Sequence, residues 1–208
     1  MKHINLNSAD EQVKRFIQAL PLEPGGVELE LDGKVICKDT RRVRIVPLAN
    51  NEVYMDFDIT LKATEGPVTF GDTKEGTMGI RTRPELRLEG KVAKGHILNS
   101  DGLTDRDCWG KRAAWVDYYG PVNGKTVGIT MFEHPSSPRH PTWWHAREYG
   151  LFAANPFGIH DFEKKPAGTG DLVLEKDKEW TLRYRIYFHH DHLSREALQK
   201  HFEEYKAL

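Results

Sequence analysis

The sequence predicts a mainly all-β fold, an antiparallel β-sandwich with a short helix at each end. Three observations lead there. Apolar residues recur at period two through the middle of the chain. Gly, Asn, Asp and Pro cut those runs into roughly ten short strands. Helical spacing is confined to the two ends. Such a strand count fits a large two-sheet sandwich, of the kind found in sugar mutarotases and polysaccharide lyases.

At 208 residues the chain suffices for one domain with a sizeable core. The expected division is 1–24 as a helical extension, 25–190 as the sandwich and 191–208 as a C-terminal helix. A hydrophobic share of 38% beside 29% charged residues marks a globular chain. The net charge of −1, with no basic run, excludes the electrostatic footprint of a nucleic-acid binder. No apolar run approaches the ~18 residues of a membrane span. Cys37 and Cys108 form no CxxC pattern and are expected to be reduced thiols. The N-terminal residues lack an apolar stretch of the signal-peptide kind, so the expected compartment is the cytoplasm.

In chain order, Ser8 to Glu11 has the form of a capping box, and Val13, Phe16, Ile17 and Leu20 follow at helical spacing. Val27–Leu31 and Val35–Cys37 flank Asp32-Gly33, a hairpin signal, and Arg41–Pro47 reads as a third strand. Val53 to Leu61 alternates most cleanly. Gly71–Gly76 is a hinged loop that sets Asp72, Lys74 and Glu75 beside the strand Thr77–Thr82, followed by Arg81 and Arg83 near its end. Its glycine spacing does not match a phosphate loop. Leu86–Leu88 and Lys91–Leu98 read as a hairpin through Glu89-Gly90, and Asp105 to Arg112 as a charged loop. In the strand Ala113–Tyr119, Asp117 shares a face with Trp115 and Tyr119 and is expected to look outward or into a groove. After Asn123-Gly124 comes the strand Thr126–Glu133. His160 to Gly170 reads as loop, Trp180 to Phe188 as a long strand, and Ser194 as the cap of a last helix.

The stretch Gly128–Gly158 holds most of the chemistry: His134, His140 and His145, Arg139 and Arg147, Trp143 and Trp144, and Glu133. Pro135, Pro138 and Pro141 forbid ladder donation, so the residues after Glu133 are expected to form a stiff loop before the apolar run Tyr149–Ala154.

The segments GDTKEGTMGIRTRPELR (Gly71 to Arg87), Trp115 to Gly120, and EHPSSPRHPTWWHAREYGLFAANPFG resemble a bacterial family of uncharacterised proteins labelled methane oxygenase PmoA-like. The likeness is close between Asp58 and Phe162 and thinner beyond. It implies a β-sandwich and, because members tend to be found beside sugar-catabolic genes, carbohydrate chemistry. The label does not carry over as a function, since such an oxygenase subunit is membrane-embedded. Members usually carry a further N-terminal β-rich segment with a His-Pro-His-His-Arg-Gly-type motif, which this chain lacks. If that motif supplies catalytic groups, the chain is inactive alone.

Three readings compete for the focal stretch. In the first, His134, His140 or His145 acts as a general acid or base on a sugar, with Glu75 or Glu133 as the complementary carboxylate. Trp143 or Trp144 would stack on the pyranose, while Arg81, Asp117, Arg139 and Arg147 hold its oxygens. Epimerisation, elimination and hydrolysis all fit that set, and so does binding without turnover. In the second, the histidines and Glu133 ligate a metal, but the spacing H-x5-H-x4-H in a Pro-rich loop does not force convergence, so no metal and no cofactor is assigned. In the third, the loop caps the sandwich and each polar group merely finds a partner. The expected partner is a small-molecule or oligosaccharide ligand, with self-association open. The site is expected where the Asp72–Arg83 loop, the Asp117 strand and the His134–Arg147 loop meet.

Overall fold

A computed structural model describes residues 25–31 and 34–208, with side chains from Lys34 onward. Its strands are β1 Gly25–Leu31, β2 Lys34–Pro47, β3 Val53–Ala63, β4 Val68–Phe70, β5 Met78–Arg81, β6 His96–Asn99, β7 Trp115–Val122, β8 Lys125–Glu133, β9 Trp143–Ala146, β10 Leu151–Asn155, β11 Leu172–Leu174 and β12 Glu179–His190. The helices among these residues are α1 Ile159–Glu163 and α2 Arg195–Lys206. Seven strands form an antiparallel sheet in the order β1-β2-β3-β12-β8-β7-β6, beside a three-stranded sheet β5-β10-β9 and a β4-β11 pair. The fold is therefore mostly β and sandwich-like, as the alternation predicts.

The main core lies between the sheets. Val116, Tyr118, Met131, Leu182, Tyr184 and Ile186 of the large sheet pack against Trp144, Ala146, Phe152 and Ala154 of the small one. The other face of the large sheet is covered too. There Tyr54, Trp115, Phe132 and Tyr187 meet Leu198, Phe202 and Tyr205 of α2. Removing both faces from water at about 25 cal/mol per Å² of apolar area is what holds the layers together. It also means that alternation no longer separates inside from outside: Trp115, Val116, Asp117 and Tyr118 are all fully buried.

Several boundaries differ from the sequence expectation. Val35–Cys37 and Arg41–Pro47 belong to one 14-residue strand, because the polar residues between them keep their pairing, with Lys38 opposite Lys62 and Thr40 opposite Thr60. The Leu86–Leu98 hairpin does not form. Pro84–Leu86 is a 3-10 turn, and His96–Asn99 pairs with β7 instead. The Pro-rich segment yields to sheet sooner than expected, since β9 begins at Trp143 and pairs with β10. Part of the His160–Gly170 loop is the helix α1, and the short β4 and β11 carry no alternation long enough to read. Asn123 and Gly124 both take positive φ, 52° and 78°, as a tight β7–β8 hairpin requires.

The Ser8–Leu20 helix and the Asp32-Gly33 turn lie outside the described residues. Cys37 and Cys108 are free and buried, and burial pushes the Cys108 thiol up to about 12. Among the described residues no helix is long and apolar enough to cross a membrane.

Candidate functional site

The three-stranded sheet has one face in the core and one turned outward. Across the outward face, His145, Ala153 and Gly79 lie in one row of paired residues. Ala153 is 2% exposed, with Gly76 of the loop before β5 packed against its Cβ. Two rings wall the imidazole: Trp109 and Phe162 stand edge-on to His145 with centroids 6.2 and 6.1 Å away. Lys74 and Glu75 rise from the loop before β5 and are exposed. That loop is pinned by Asp72, whose carboxylate accepts from the backbone N–H groups of His160 (3.0 Å) and Gly170 (2.7 Å). On the rim, Arg81 and Arg147 each lie over the Tyr149 ring at 5.3 Å, and Arg147 also lies over Trp109 at 5.6 Å.

Hydrogen bonding around His145 is incomplete. His145 Nδ1, Trp109 Nε1 and Arg147 Nε are buried and make no hydrogen bond among the described residues, although Arg147 Nε lies 3.3 Å from Glu148 Oε2. A buried polar atom left unpaired costs about 1–3 kcal/mol, so several close together mark a place where polar partners are wanted. Burial and then the Arg147 charge press the His145 pKa below the usual histidine range, against the Lys74 backbone and Glu75. The ring is therefore neutral near pH 7 and has a lone pair to offer.

His134 and His140 are placed elsewhere. Both pack under α2, His134 edge-on to Tyr205 at 5.3 Å and His140 stacked on Phe202 at 6.2 Å. Glu133 is fully buried beside them; its Oε2 accepts from Thr142 N at 2.8 Å and from His140 Nδ1 at 2.9 Å, while Oε1 makes no hydrogen bond among the described residues. Burial lifts the Glu133 pKa above the usual carboxylate range despite His140. His134 Nδ1 accepts from Ser136 N at 3.1 Å, and Arg183 Nη1 lies 3.2 Å from Nε2. Burial, with the Arg183 charge, holds the His134 pKa below the usual histidine value.

The structure thus divides the expected cleft. His145, Glu75, Arg81 and Arg147 come together, whereas His134 and His140 form a separate group under the helix. Asp117 does not face a groove. It is fully buried on the α2 side of the large sheet, where its Oδ1 accepts from Thr130 Oγ1 at 3.0 Å and lies 3.1 Å from His189 Nε2. Arg139 is occupied by main-chain carbonyls, donating to Pro156 (3.0 Å), Gly170 (2.6 Å) and Asp171 (2.8 Å). Neither nominated tryptophan has a ring face free for a sugar. Trp144 is fully buried and donates to the Ala113 carbonyl; Trp143 is 4% exposed, donates to Glu163 and is covered by the Arg112 guanidinium at 4.5 Å. As for metal ligation, no group of three or more His, Cys, Asp or Glu is placed to hold an ion among the described residues.

Trp109, Phe162 and Tyr149 were missed as members of the site. Trp109 sits inside a charged loop and Phe162 in a stretch read as connection, so no local period marks either; only the long-range packing brings them to His145.

A model of a family described as being of unknown function, DUF6807, matches residues 12–203, and the chain belongs to that family. No curated protein and no solved structure matches.

Proposed function

We propose that this member of a family of unknown function binds a sugar in the groove around His145, which acts there as a general acid or base with Glu75 as the complementary carboxylate. The observation that carries the reading is the nearness of three buried nitrogens that make no hydrogen bond among the described residues: Trp109 Nε1 and Arg147 Nε, the latter ion-paired to Glu148, as donors, and His145 Nδ1 as acceptor. A polyhydroxylated ligand offers both oxygen acceptors and hydroxyl donors, so it can satisfy all three at once. The Trp109 and Phe162 rings supply apolar walls for the C–H face of a pyranose.

The protonation states fit this role. With its pKa pressed down, His145 is neutral and can take a proton from a sugar hydroxyl or from a carbon beside a carbonyl. Exposed Glu75 can supply or accept the matching proton. Arg81 and Arg147, braced on Tyr149, sit where a carboxylate or developing oxyanion would be held. A second reading, sugar binding without turnover, is favoured by the 3% exposure of His145, which limits access to the ring. It needs the donors and aromatic walls but no titrating pair.

The test is calorimetry with neutral sugars, uronic acids and keto sugars, followed by an assay for turnover of any sugar that binds. Saturable binding is expected for at least one class, weakened about tenfold by Trp109→Phe, which keeps a ring but removes the donor. His145→Gln should abolish turnover while retaining part of the binding. Turnover untouched in His145→Gln would remove the acid–base role, and binding untouched in both variants would remove the site.

A further inference from the structure

Away from His145, a concavity lies beside the C-terminal end of α2, over the neighbouring strands β2, β3 and β12. It encloses about 250 Å³ between Arg42, Arg44, Asp56, Asp58, Arg183, Tyr205 and Leu208. Strand pairing dictates its chemistry. Arg42 lies opposite Asp58 and Asp58 opposite Arg183, and one pair further along Arg44 lies opposite Asp56 and Asp56 opposite Arg185. The two rows hold four guanidinium groups and two carboxylates, a surplus of two positive charges on the neighbouring strands β2, β3 and β12.

The carboxylates are already engaged. Asp56 accepts from Arg44 at 3.1 and 2.6 Å and from Arg185 at 2.7 and 3.0 Å, while Asp58 accepts from Arg183 Nε at 3.2 Å. Arg185 is held flat between Tyr54, 4.2 Å from its ring centroid, and Tyr205 at 4.7 Å. Arg42 is exposed and makes no hydrogen bond or ion pair among the described residues. Tyr205 is 1% exposed, yet its hydroxyl makes no hydrogen bond among the described residues. A solvated ladder of ion pairs explains Arg44 and Arg183, but neither the net surplus nor the buried, unpaired phenol that lines the same cavity.

From this we infer a second binding site, for a small oxyanion bearing a carboxylate, sulfate or phosphate group, with Arg42 and the Tyr205 hydroxyl as its donors. Guanidinium groups in a fixed row suit such planar or tetrahedral oxygens. The volume falls just below the ~300–1,000 Å³ usual for ligand pockets, which admits an inorganic anion or one acidic monosaccharide and excludes an oligosaccharide.

The experiment titrates the whole chain with sodium phosphate, sodium sulfate and sodium glucuronate at constant ionic strength, using sodium chloride as the reference and calorimetry as the readout. Saturable binding is expected for at least one of the three. It should weaken about tenfold in Arg42→Ala and in Tyr205→Phe, and for phosphate and sulfate stay unchanged in His145→Gln, where glucuronate is titrated too so that any share bound at His145 is separated. Arg42→Ala alters an exposed side chain and Tyr205→Phe keeps the packed ring, so both variants should fold; matching circular dichroism spectra check this. Binding of the inorganic anions alone would identify a phosphoryl or sulfuryl group as the source, and of glucuronate alone an acidic sugar. The inference is overturned if the only effect is one chloride reproduces, if both cavity variants bind like wild type, or if phosphate and sulfate binding depends on His145 instead.

Discussion

Among single residues, His145 and His189 show how burial alone fails to predict a histidine's charge. Burial presses both pKa values down, and in His145 the nearby Arg147 adds to it. In His189 the hydrogen bond and charge of Asp117 outweigh burial, so the net pKa is raised. The linkage follows from the sign. A raised folded pKa means that the contribution of His189 is fully present below the unfolded value, about 6.5, and is lost as pH rises through the folded value. The lowered values of His134, His145 and His201 act oppositely, withdrawing stability as pH falls below about 6.5. Urea unfolding of wild type and His189→Gln across pH 5 to 9 should therefore show a stability difference that shrinks with rising pH. A constant difference would mean that the buried pair carries no proton on His189. Asp117→Ala, which strands His189 in the sheet, should cost about 3 kcal/mol by the same measurement at pH 6.

The elements differ in how much of their placement the sequence reveals, and the cause is which neighbours decide it. β3 and β12 are legible because one face of each carries a strict apolar row. β9 is not, since His140 and Pro141 precede it and its four residues, Trp143 to Ala146, are buried on both faces. The unforeseen role of α2 has the same origin. Its capping residue is plain, Ser194 Oγ accepting from Ala197 N at 3.2 Å, yet nothing local shows that the helix covers Phe132, His134 and His140. Ser194→Ala should lower stability by about 1 kcal/mol in urea denaturation, with no change in ligand binding at the His145 groove. Gly128 carries a similar cross-strand constraint. It lies opposite His189, and a Cβ there would come within 2.1 Å of that ring, so the glycine in an otherwise β-branched run is a packing requirement.

Over the whole molecule, a large sheet covered on one face by smaller sheets and on the other by α2 sends the chemistry of Gly128–Gly158 to two surfaces. The cluster that looks continuous along the chain is split because successive residues leave the large sheet, cross its edge and join the small one. Glu75, Arg81, His145 and Arg147 could be named from sequence as candidates because they are polar groups at strand ends. Their aromatic walls could not, since Trp109 and Phe162 reach the groove from segments 36 and 17 residues away from His145. The measurement that bears most directly on the central claim is nitrogen-15 NMR of the imidazoles during titration with sugars from the three classes tested by calorimetry. We predict that a binding sugar shifts the His145 ring nitrogen signals, while the His134 and His140 signals stay in place. A sugar that shifts His134 or His140 and leaves His145 unmoved would contradict the account and transfer the site to the space beneath α2.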